Sequence, residues 1–323
     1  MKLVLFAVLA MTLTILACAL PTVEPTPDPG AFQTQVAEGV AATLKAAPTS
    51  TPSPAPAATD TETPRLMPTP FTPRSEVYPE VTYILQEEKL FGEYAVRFWR
   101  NANAAADTVF FDGLVTIAAS GEGPIQIESA SALGAQTGTD ITGDGFSEVI
   151  VETYSGGAHC CFGTVVYSMK GSSIQKVLDT APSNCGGSFA DLDGDGVLEF
   201  DTCDDSFAYT YCPYAASPIV RVIFQYDPAQ GLYLPASPRF ASLYADLIAE
   251  HTKFAEETQP GELGEWDGSN KCSVLPAVLD YLYSGQTDQA WAEFSRLYTA
   301  PDADTFRAEI EKVIEGSGRY VRP

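Results

Sequence analysis

The sequence predicts a mainly β protein built from repeated units, followed by a small C-terminal α-helical subdomain. Three observations carry that expectation. An Asp/Gly-rich loop occurs twice, 191 − 140 = 51 residues apart, and a fixed period in that range marks a repeat array. Runs rich in β-branched and aromatic residues surround both copies between residues 80 and 238. From Phe240 the apolar spacing changes from two to about 3.6, the period of a helix.

The clearer loop is Asp191-Leu192-Asp193-Gly194-Asp195-Gly196-Val197-Leu198-Glu199, with carboxylates at positions 1, 3, 5 and 9. Its echo, Asp140-Ile141-Thr142-Gly143-Asp144-Gly145-Phe146-Ser147-Glu148, keeps positions 1, 5 and 9 and has Thr142 at position 3. Such loops suit calcium, a hard cation that takes six to eight oxygens in a flexible cage. Alternate side chains form a concave set of oxygens, and the position-7 carbonyl of Val197 or Phe146 can add one more. The glycines allow the sharp bend. An EF-hand would need a glutamate at position 12, where this chain has Thr202 and Val151. Asp/Gly-rich stretches are also ordinary turns, but two in one register favour metal. Two calcium sites are expected, the 191–199 loop being the stronger because it carries one more carboxylate.

A glutamate at position 9 followed by strand residues resembles the calcium-bearing FG-GAP/VCBS repeats of integrin-type β-propellers, over residues 81–235. The resemblance implies propeller-like blades. A full propeller needs at least four, and about 155 residues hold about three at the observed spacing. The expected form is therefore an incomplete ring or a smaller β-assembly.

At 323 residues with 45% hydrophobic content, the chain can build a sizeable core. Its net charge of −24, from 18 basic and 42 acidic residues, repels phosphate backbones and argues against nucleic-acid binding.

Lys2 and the apolar stretch of residues 3–17 read as an export signal, too short to span a bilayer comfortably. It ends Ile15-Leu16-Ala17-Cys18, which resembles a bacterial lipobox with Cys18 as the lipidated residue. A conventional signal peptide and an uncleaved anchor are the alternatives. Six cysteines remain: Cys160, Cys161, Cys185, Cys203, Cys212 and Cys272. An even number in an exported chain reads as three disulfides, with fifteen possible pairings. Cys185 and Cys203 bracket the clearer loop and could clip it. Cys272 could staple the helices to the β part.

Residues 18–79 are rich in Pro, Thr, Ala and Ser and read as a disordered tether. Within it Phe32, Val36, Val40 and Leu44 allow a transient helix. Strands are expected at residues 93–100, 114–117, 124–127, 149–154, 164–169, 174–178, 199–202, 207–211 and 219–226. Four helices should follow. Phe240, Leu243, Tyr244, Leu247, Ile248 and Phe254 mark the first, and Leu275, Val278, Leu279 and Leu282 the second, stopped by Gly285. The third is capped by Thr287 or Asp288 and carries Trp291, Phe294, Leu297 and Tyr298. The fourth is marked by Phe306, Ile310, Val313 and Ile314 and ends at Gly316.

Other constellations are weaker. His159-Cys160-Cys161 could supply a base and a thiolate, although half-cystines are the expectation for an exported chain. Asp201, Asp204 and Asp205 could extend the metal site or form a solvated turn. Glu262, Glu265 and Asp267 evoke paired acids of a carbohydrate site, or an acidic loop around a buried Trp266. No Ser-His-Asp set, P-loop or dinucleotide fingerprint occurs. The function expected is a lipid-anchored extracytoplasmic module with structural calcium that binds protein or glycan. The alternatives are an exported hydrolase or thiol-dependent enzyme, and a structural envelope protein.

Overall fold

The computed structural model describes residues 72–104, 112–119, 123–157, 161–171, 173–180 and 182–322. The chain divides into two units, Met1–Glu62 and Thr63–Pro323, and every described residue belongs to the second. The export signal, Cys18, most of the 18–79 stretch, His159 and Cys160 lie outside the described residues.

Seven strands form one antiparallel meander: β1 (Tyr83–Phe91), β2 (Tyr94–Asn101), β3 (Gly113–Ala118), β4 (Ile125–Leu133), β5 (Glu148–Tyr154), β6 (Phe162–Lys170) and β7 (Ser173–Asp179). Four more, β8 (Ser188–Ala190), β9 (Glu199–Asp204), β10 (Val220–Asp227) and β11 (Leu232–Pro235), form a second antiparallel sheet. Each loop precedes the equivalent strand of its unit, β5 or β9, so the 51-residue echo is a real structural repeat. The propeller-like ring of blades is not seen among the described residues. β1 to β7 pair in chain order as a single sheet, with Val115 of β3 opposite Ile127 of β4.

Alternation along β5 and β6 builds two cores from one sheet, because successive strand side chains face opposite ways. Ile150 and Val166 face the second sheet and the helices, within a cluster that includes Phe200, Ile223, Leu279 and Phe306. Val149, Val151 and Met169 face the other way, with Val96, Val115 and Ile117. The second sheet and the helices therefore share one core. Three strands were not expected. β1 is an edge strand whose residues are mostly exposed, which hides its alternation. β8 has three residues and β11 four. Conversely, residues 207–211 form turns rather than a strand. Ala208 N donates to Asp205 O and Thr210 N to Phe207 O, and Tyr209 takes a positive φ of 59°.

The helices are α1 (Ala245–Glu257), α2 (Lys271–Tyr283), α3 (Thr287–Leu297) and α4 (Ala303–Gly316). Phe240 lies in a 3₁₀ segment before α1 and has non-helical dihedrals, so the first apolar stripe is broken in two. Phe254 is 41% exposed, and Ala255 takes the buried place on α1. Gly285 follows α2 with φ +80°, as expected for a helix stop. The N-cap of α3 is Gln286 without a side-chain cap bond; Thr287 is the first helical residue. Cys185 pairs with Cys203, and Cys212 with Cys272. The second bridge ties the segment after β9 to the first turn of α2. No helix among the described residues is long and apolar enough to cross a membrane.

Candidate metal centre

Both loops fold by the same local rule. The first carboxylate of each accepts two backbone N–H groups from the glycines that follow. Asp191 Oδ1 takes Gly194 N at 2.7 Å and Oδ2 takes Gly196 N at 3.1 Å. Asp140 does the same with Gly143 and Gly145, both at 2.8 Å. A side chain at Gly143 is doubly disfavoured, since φ is +73° and a Cβ would lie 2.9 Å from Val197 Cγ2. At position 5, Asp195 Oδ1 accepts Val197 N at 2.8 Å and Asp144 Oδ1 accepts Phe146 N at 3.1 Å. The position-9 glutamate reaches back to the start of its own loop. Glu199 Oε2 accepts Leu192 N, and Glu148 Oε2 accepts Ile141 N, both at 2.8 Å. Both glutamates are fully buried. Burial pushes each carboxyl above its ordinary pKa, with those N–H bonds working in the opposite sense.

The two loops bring together different carboxylates. In the first, Asp140, Asp144 and Glu148 can place one oxygen each within 4.8 Å of one another; in the second, Asp191, Asp193 and Asp195 do so. Both triads could hold a metal ion. Glu199 is instead engaged by Gln225, whose Nε2 lies 3.1 Å from Glu199 Oε1 and 3.4 Å from Asp193 Oδ2. Thr142 is buried, with Oγ1 3.4 Å from Glu148 Oε1. Val197 and Phe146 sit at the loop exits, where their N–H groups hold the position-5 aspartates.

The residues of the second loop fit a cation. Three exposed carboxylates converge, and none has an ion-pair partner among the described residues. Each like-charge pair at such a distance costs about 1 kcal/mol in bulk water and more near a protein surface. Gln225 adds an orphaned acceptor, for its Oε1 is buried without a hydrogen-bond donor. A divalent ion would relieve the repulsion and could draw on that oxygen.

The loops also touch each other. Leu198 N donates to Ile141 O at 2.9 Å. The Tyr233 hydroxyl reaches both carbonyls, Leu198 O at 2.9 Å and Ile141 O at 3.3 Å. Sequence reasoning missed Gln225, Lys170 and Tyr233, which come from strands outside the loops. Register could have found Gln225, since it follows the Phe224–Phe200 pair and so faces Glu199.

The remaining candidates have structural roles. Asp201 pairs with Arg221 through two bonds of 3.0 and 2.6 Å. Buried Asp204 accepts the Tyr283 hydroxyl at 2.5 Å, and Asp205 accepts Asn184 N at 2.8 Å. All three carboxylates are engaged within the fold, and Asp204 and Asp205 also hold the start of the turn that follows β9. Trp266 is 62% exposed rather than buried, and Glu265 is the residue that is buried beside it. Asp267 pairs with Lys271 at 2.7 Å, and that bond holds its carboxyl down at about 2. Cys161 is disulfide-bonded, which removes it as a free nucleophile.

No family model matches the chain, and no solved structure does. Residues of the chain are 31% identical over 144 positions to the uncharacterized protein y4bJ of Sinorhizobium fredii, covering 45% of this chain and 22% of that protein. They are 28% identical over 163 positions to the probable thylakoid lumen protein sll0997 of Synechocystis, covering 50% of this chain and 47% of that one. The chain thus spans about half the length of one relative and about a fifth of the other. Disulfides persist in oxidising compartments, so the two bridges point to an extracytoplasmic protein.

Proposed function

We propose that this chain is an extracytoplasmic binding module of the FG-GAP/VCBS-like kind, held together by structural calcium and carried on a lipid anchor at Cys18. The observation that carries the calcium reading is the convergence of Asp191, Asp193 and Asp195 without a counter-cation among the described residues. Calcium would be held by these three, with Val197 and Glu199 as further oxygen sources; Asp140, Thr142, Asp144, Phe146 and Glu148 are the corresponding set in the first loop, with one carboxylate fewer. Calcium supplies charge neutralisation here, and the chain supplies a loop already shaped by glycine N–H bonds. The Synechocystis relative is described as a probable thylakoid lumen protein, which supports an exported setting. The ligand class is protein or glycan, with no nucleic acid, given the net charge of −24.

Calorimetric titration of the metal-stripped chain with calcium tests the reading. Asp193→Ala should abolish the principal binding event while leaving the far-ultraviolet circular dichroism unchanged. Equal calcium affinity in the variant and the wild type contradicts it.

A further inference from the structure

The two loops look alike in sequence but differ in how their position-5 carboxylate is used. Asp195 Oδ1 accepts Val197 N, and its Oδ2 has no partner among the described residues. Asp144 Oδ1 likewise accepts Phe146 N, but its Oδ2 lies 2.9 Å from the ammonium of Lys170. Lys170 is also fixed from the far side. Its Nζ donates to the Tyr226 hydroxyl at 3.1 Å and stands 5.8 Å from the centre of that ring. The lysine comes from β6 and the tyrosine from β10, so the ammonium sits between the first loop and the second sheet.

Register shows that this difference is written into the two units. Across from the position-9 glutamate stand Ser168 in the first unit, opposite Glu148, and Gln225 in the second, facing Glu199. Two residues further along each strand, on the same face, come Lys170 and Asp227. The first loop is given a cation where the second is given an acid. Asp227 turns into its own hairpin, where it accepts Ala229 N at 2.8 Å and Gln230 Nε2 at 3.0 Å. The first loop also has three carboxylates rather than four, so one ammonium removes a larger share of its charge. A divalent ion there would have to compete with a tethered cation for Asp144 Oδ2, in a loop already lacking the position-3 carboxylate.

Resting on the calcium reading above, we propose that Lys170 is the resident counter-cation of the first loop. The folded chain then takes one calcium ion, at 191–199, and the first loop becomes a second site only when the ammonium is removed. Lys170 does for one repeat what the metal does for the other, and it bonds the first repeat to the second through Tyr226.

Native mass spectrometry of the metal-stripped full chain with calcium added counts the ions directly. The wild type should carry one ion, Asp193→Ala none, Lys170→Gln two, and Lys170→Arg, which keeps a cation, one. Two ions on the wild type, or one on Lys170→Gln, overturns the role of Lys170 and leaves the calcium reading standing. No ion on either overturns both. The wild-type count and the Lys170→Arg count stand whether or not Lys170→Gln folds.

Discussion

At the scale of single residues, most ionisable side chains buried in this structure have a partner that explains their burial. Lys271 is 7% exposed, and burial alone would lower its pKa. Asp267 at 2.7 Å and Asp302 at 2.8 Å override that and hold it charged, while its ammonium lies over the rings of Tyr211 and Phe306. Asp280 is buried against His251, with Oδ2 2.6 Å from Nδ1. The bond to Asp280 raises His251 above its ordinary 6.5, against the effect of burial, and burial raises Asp280 as well. Both shifts mean that the folded state holds protons more tightly than the unfolded one. The histidine contribution is complete below pH 6.5 and is lost as pH rises through the folded-state value. The melting temperature of the wild type should therefore fall as pH rises above 6.5, and His251→Gln should flatten that fall. Parallel pH profiles for the two proteins would show that the pair is not linked to folding.

At the scale of elements, the joints between units are made by few side chains of high consequence. Tyr233 spans both loops with one hydroxyl, and its ring packs edge-on to Phe189 at 5.7 Å. Tyr283 of α2 reaches Asp204 at the end of β9, and Arg319 donates to Cys203 O at 2.7 Å. The bridge from Cys212 to Cys272 closes a separation of 60 residues between the β part and α2. Loop-closure entropy for that length is worth about 4 kcal/mol, against about 3 kcal/mol for the shorter bridge at the calcium loop. Replacing both Cys212 and Cys272 with serine should lower the unfolding free energy by about 4 kcal/mol in denaturant melts. An unchanged midpoint would mean that the helices are held by packing alone.

Much at this scale was legible beforehand. The strands that follow the two loops, β5 and β9, and the last three helices follow from period, because each has a buried face that shows it, whereas α1 buries only Ala255. β1, β8 and β11 were hidden, being exposed at an edge or very short. The turn at residues 207–211 read as a strand because its aromatic residues suit a sheet. It is set instead by Asp205 and by the positive φ at Tyr209.

At the scale of the whole molecule, the helices prove to be part of the second sheet's core rather than an appended bundle. Phe200, Ile223, Leu275, Leu279 and Phe306 belong to one cluster. That relationship could not be read from periodicity, which shows that a face is buried but not against what. The same limit applied to the metal centre. The carboxylates were legible from spacing, whereas Gln225 and Lys170 depend on strand register, each across 26 residues. With the two loops bonded to each other and each attached to its own sheet, their state should govern the stability of the whole folded unit.

The most direct test of that claim is thermal unfolding of the metal-stripped chain, with calcium and with excess chelator. An ion bound at a hundred times its dissociation constant stabilises the fold by about 2.7 kcal/mol, a rise of roughly 5–10 °C for a unit of this size. The account predicts that rise in the wild type and its loss in Asp193→Ala. Superimposable melting curves with calcium and with chelator would contradict it.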